Sequence, residues 1–161
     1  MKRSFGFTLI EILVSSAIIV LLAGGGLAAY LDFNNRQILD TTASELKNNL
    51  RQARGWAMAG KKFSYCGDSD DRLANYKVSF YPSGHRYEVT LTCLKNLGVP
   101  VLESSLVSSF SYDEKVTISP ERSPFIFLPL TGETDVSSFN ITLSLGSRSR
   151  VLTVNTNGEI N

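Results

Sequence analysis

Histidine is almost absent from this chain: of 161 residues only His85 is one. It lies between Gly84 and Arg86 in a turn-like stretch, where a solvated imidazole is the simplest reading. No Ser-His-acid or Cys-His arrangement can be built around it, so nucleophilic catalysis of those kinds has no candidate residues. Cysteine is limited to Cys66 and Cys93, and their spacing is not of the metal-binding type, so no metal and no cofactor is expected. A charge excess of either sign is missing too. The 16 Lys and Arg include Lys2 and Arg3, and the 15 Asp and Glu include Glu11, so 14 cations face 14 anions from residue 32 onward. No large basic field invites nucleic acid. These absences argue against an enzyme and leave a structural or binding role.

Two further absences describe the first part of the chain. No proline occurs before Pro82. Between residues 7 and 31, FTLIEILVSSAIIVLLAGGGLAAYL, no charge occurs except Glu11. At about 1.5 Å per residue a helix of this segment crosses the roughly 30 Å hydrocarbon layer of a bilayer. A carboxylate in such a run costs about 2.5–3.5 kcal/mol on insertion scales, so Glu11 calls for a function and a partner. The leader MKRSFG has two cations and no apolar core. A secretory signal places its apolar region ahead of the cleavage site. Here a cut after Gly6 would come first and leave the apolar run in the mature protein.

Gly6, Phe7 and Glu11, in the order G-F-T-L-I-E behind a short basic leader, resemble the class III signal of type IV pilin-like proteins. The resemblance implies that a prepilin peptidase cuts between Gly6 and Phe7 and methylates the new Phe7 amine. It implies that Glu11 neutralises the Phe7 amine of a neighbouring subunit in a filament, where a buried pair is tolerable and a lone charge is not. It also implies other pilin subunits and an inner-membrane assembly platform as partners. Lys2 and Arg3 favour a cytoplasmic N-terminus. The rest of the chain would then face the periplasm or the exterior of a bacterium. In that oxidising setting Cys66 and Cys93 could pair, closing a loop of about 27 residues worth roughly 3–4 kcal/mol on the chain-entropy model.

After the span the helical period continues. Leu39, Ala43, Leu46, Leu50, Ala53 and Ala57 follow four-three spacing and make one apolar stripe. Asp40, Glu45, Lys47, Arg51 and Arg54 fall on the wet side. Gly60, followed by Lys61 and Lys62, is a stop signal. One helix is expected from 7 to 59, about 80 Å long. Gly24, Gly25 and Gly26 form a weak point in it, read either as a place of local melting on assembly or as a site of close helix packing.

From residue 63 the period becomes two. Tyr76, Val78 and Phe80 alternate, Pro82-Ser83-Gly84 turns, and Tyr87, Val89, Leu91 and Cys93 alternate again, which predicts a hairpin. Residues 113–115 break the pattern before Val116 and Ile118. The run 125–130 reads as a strand buried on both faces. Residues 139–145 alternate, Gly146-Ser147 turns, and 151–154 returns. The organisation expected is a leader (1–6), a transmembrane and assembly helix (7–31), and a globular domain (32–161) with a helix over 32–60 and a β-rich part over 63–161. The fold class is α+β: a long N-terminal helix, membrane-spanning in its first half, packed on a C-terminal antiparallel sheet of six to eight short strands.

The pieces FIFLPLTG, FNITLSLG and VLTVNTNGEI also resemble, loosely, the closing strands of the GspH/FimT-type minor pseudopilins. Some members of that family bind DNA through basic residues near the C-terminus. The corresponding residues here would be Arg148 and Arg150, but two arginines supply few phosphate contacts and the last five residues carry no cation, which argues against nucleic acid. Asp68, Asp70 and Asp71 could offer oxygen ligands to Ca²⁺, though their spacing does not fit an EF-hand and a solvated loop is the simpler reading. Asn140-Ile141-Thr142 matches a glycosylation acceptor by chance. The function expected is a minor pilin or pseudopilin; the alternative is a tip subunit that binds DNA or a secreted substrate.

Overall fold

A computed structural model describes residues 7–66, 71–96 and 100–161. The first element is the helix α1, Leu9–Met58, 50 residues long. Its backbone continues without a break through Gly24–Gly26. The chain divides after Gln37 into two units, the second being Ile38–Asn161.

In the first unit the large apolar side chains of α1, among them Leu9, Ile10, Leu13, Ile19 and Leu22, stand exposed. Among the described residues no helix is long and apolar enough to cross a membrane. The span expected over 7–31 includes residues 23–26 and 28, whose side chains are not among those described.

In the second unit the stripe on α1 becomes one wall of the core. Leu39, Ala43, Leu46, Leu50, Ala53 and Ala57 are all buried. The helix stops where Gly60 takes a left-handed conformation (φ 58°). The Gly60 N–H donates to Ala57 O and the Lys61 N–H to Trp56 O, both at 3.0 Å, so the last carbonyls are satisfied.

Among the described residues seven strands follow: β1 Arg72–Tyr81, β2 Arg86–Asn96, β3 Pro100–Ser111, β4 Thr117–Pro120, β5 Phe125–Phe127, β6 Phe139–Leu145 and β7 Arg148–Val154. They form two antiparallel sheets, ordered β3-β2-β1-β5 and β4-β6-β7. The helix therefore shares one core with two sheets, where the alternation of side chains had suggested a single sheet. The hairpin register sets Tyr76 against Leu91, Val78 against Val89 and Phe80 against Tyr87, all buried. The left-handed residue of its turn is His85 (φ 45°) rather than Gly84.

The segment after Pro124 departs from expectation. The strand ends at Phe127 and Ile126 is only half-buried, so it is not buried on both faces. Pro129 lies inside the run and has no N–H for a ladder. The chain turns there, Leu130 becomes exposed, and its N–H donates to Ala57 O at 2.9 Å. Residues 63–71 likewise contain no strand among those described; Ser64–Cys66 is a single 3₁₀ turn.

Cys66 and Cys93 are both buried and bridged, with Cα atoms 5.9 Å apart and a sequence separation of 27. Replacing both with alanine is expected to cost about 3–4 kcal/mol through the freed unfolded chain. Urea unfolding should show this as a lower midpoint; an unchanged midpoint would remove the constraint from the account.

Candidate functional site

Thr8 precedes the first turn of α1, and the Glu11 N–H donates to both Thr8 Oγ1 (3.3 Å) and Thr8 O (3.1 Å). Thr8-Leu9-Ile10-Glu11 is thus the S/T-x-x-E pattern of a capping box, a signal present in the sequence beside the charge argument. An acidic residue in the first turn also suits the positive helix end. Glu11 lies on a helix face with Phe7, Ile12, Ser15, Ser16 and Ile19. The Ser16 hydroxyl turns inward to donate to Leu13 O at 2.9 Å. Glu11 is therefore the one ionisable group on an otherwise apolar and small-residue face. Phe7 is 80 % exposed beside it. Gly6 lies outside the described residues, so the junction itself has no geometry here.

The domain residues singled out by sequence are engaged in the fold. Arg150 Nε donates to Asp40 Oδ1 at 2.6 Å, and this contact pushes the guanidinium pKa up. Arg148 also has a partner. The two arginines that would contact a phosphate backbone are thus committed within the protein. Asp71 is buried, and Lys62 Nζ donates to its backbone carbonyl at 2.6 Å. Asp68 and Asp70 lie outside the described residues, and among the described residues no group of His, Cys, Asp and Glu is placed to hold a metal ion. The Asn140 side chain bonds Glu121 and Thr153 across the second sheet, a structural role.

Two residues assigned to the wet side of α1 prove to hold the C-terminal segment. The Arg51 guanidinium donates to Ile160 O at 3.0 Å. Arg54 donates through Nε to Gly132 O (3.4 Å) and through its terminal nitrogen to Asn157 O (3.0 Å). Residues 155–161 fold back so that Ile160 bridges Val154 and is buried. Period alone could not show this, because the acceptors are backbone carbonyls 78 to 109 residues away.

The chain thus joins a long helix, opened by an apolar segment with one acid near its start, to an antiparallel β domain, an α+β, pilin-like arrangement. The comparison with known families agrees: residues 1–27 match the prokaryotic N-terminal methylation motif. Neither the curated proteins nor the solved structures gave a match. The motif supports a pilin or pseudopilin type of chain, a substrate of prepilin peptidase that assembles with other pilins as a structural subunit.

Proposed function

We propose that this chain is a minor pilin or pseudopilin of a type IV pilus or a type II secretion pseudopilus. A prepilin peptidase cuts after Gly6 and methylates Phe7. Residues 7–31 anchor the subunit in the inner membrane with a cytoplasmic N-terminus, and an assembly platform passes it to the filament. There the exposed apolar face of α1 packs among sister helices, and Ile38–Asn161 remains on the outside. The observation that carries this reading is the methylation motif over residues 1–27, with Glu11 as the single acid of its apolar run.

The energetics give assembly a direction. Glu11 is unfavourable in lipid, and the free amine of a processed neighbour supplies its counter-charge. The closing pieces of the domain make the GspH/FimT type the subtype we favour. Mass spectrometry of the protein purified from its own cell tests the processing step. The expected mass lacks residues 1–6 and carries one added methyl group. An intact leader, or a cut elsewhere, would sink the reading.

A further inference from the structure

A polar groove of about 300 Å³ lies within the unit Ile38–Asn161, between one face of α1 and the ends of β2 and β3. Glu45 and Asn49 line it from the helix, one turn apart, and Tyr87, Ser109, Phe110 and Ser111 line it from the sheet. Its aromatic surface is the half-buried Phe110 ring, which is backed by the buried Tyr87 ring (centroids 5.2 Å apart, planes 26° from parallel), itself packed on Phe80 behind it. Asn49 Nδ2 donates to the Tyr87 hydroxyl at 2.7 Å, which holds that residue to the helix and leaves the Asn49 carbonyl as an acceptor. Burial pushes the Tyr87 hydroxyl up to about 12, with Glu45 adding to the rise, so it stays neutral at physiological pH. Among the described residues Glu45 is then the only charged group lining the groove. Its carboxylate is exposed and makes no hydrogen bond or ion pair among the described residues.

Each of these features selects the same ligand group. A lone carboxylate asks for a cation. Hydroxyl and amide oxygens around it ask for several donors. The half-buried Phe110 ring asks for a flat, weakly hydrated group. The arginine side chain supplies all three, with five N–H donors in a planar fork and a guanidinium that lies well on aromatic rings. A carboxylate-bearing or phosphate-bearing ligand is repelled by Glu45 and finds no cation in the lining.

We propose that this groove is a docking site for an arginine side chain presented by a partner polypeptide. It stands on the geometry of the domain alone and holds whether or not the pilin reading does. The test uses the full chain in a non-ionic detergent, titrated by calorimetry with the peptide acetyl-Gly-Arg-Gly-amide. Acetyl-Gly-Gln-Gly-amide and a neutral disaccharide are titrated in parallel. The expected result is saturable binding of the arginine peptide alone, weakened by added salt. Glu45→Gln should weaken it about tenfold, the ordinary weight of one charge-assisted contact. Glu114→Gln, exposed and outside the groove, should leave it unchanged. Glu45 is exposed, so its variant is expected to fold, and its circular dichroism should match the parent. Equal binding of the glutamine peptide, capture of the disaccharide in place of the arginine peptide, or an affinity unmoved by Glu45→Gln would each overturn the proposal.

Discussion

Glu11→Ala is expected to leave the chain in the membrane and to abolish its incorporation into filaments. Insertion should become easier, because a carboxylate costing about 2.5–3.5 kcal/mol leaves the apolar run. Assembly should fail, because the processed Phe7 amine of the neighbour would be buried without a partner. Breaking a buried pair on one side costs roughly 3–5 kcal/mol, or about two to four decades in an equilibrium constant. The structure adds a second role to separate from this one, since Glu11 also occupies the third position of the capping pattern begun by Thr8. Glu11→Gln decides between them. Glutamine serves a capping box as glutamate does, yet it has no charge. Both variants should fractionate with membranes and both should be missing from sheared filaments. Filaments that contain Glu11→Gln at the parental level would assign Glu11 to the helix terminus and remove the ion pair from the mechanism.

Gly158→Ala is expected to be the most damaging single methyl in the domain. Gly158 has φ 77°, a conformation that side chains rarely adopt. A Cβ there would collide with the carbonyl oxygen of Gly132 and lie 2.9 Å from Arg54 Nε. Both are parts of the clasp between α1 and the C-terminal segment, and the first is backbone. Strain in φ and overpacking each cost roughly 1–3 kcal/mol, so a loss of about 2–6 kcal/mol is expected. That is a large share of the usual 5–15 kcal/mol. Thermal unfolding should fall by about 10 °C or more. Gly146→Ala is the control: φ is 60° there too, but nothing lies within 4 Å of the added carbon, so only the backbone strain remains. A Gly158→Ala variant as stable as Gly146→Ala would show that the clasp yields freely.

Much of the architecture is legible without coordinates. The stripe from Leu39 to Ala57 is a helix face in sequence and a buried wall in the structure, because 3.6-residue periodicity is a local property of one element. The Gly60 stop and the β1–β2 hairpin are legible for the same reason: each depends on residues within a few positions of one another. The run 125–130 misled because its apolar composition outweighed Pro129, a backbone donor missing from the middle of the supposed ladder.

The sequence by itself determined the long helix, its core-facing side, the alternating strands and the N-terminal motif with Glu11. Tertiary structure alone decided that the strands divide into two sheets, that Asp40 meets Arg150, and that Arg51 and Arg54 clasp the C-terminal segment. It also brought Glu45 into a groove with Tyr87 and Phe110. The physical reason is range. Periodicity says which face of an element is apolar, but the partner of a polar residue on the opposite face is chosen by how distant elements pack. For Asp40 that partner lies 110 residues away, beyond the reach of any local pattern.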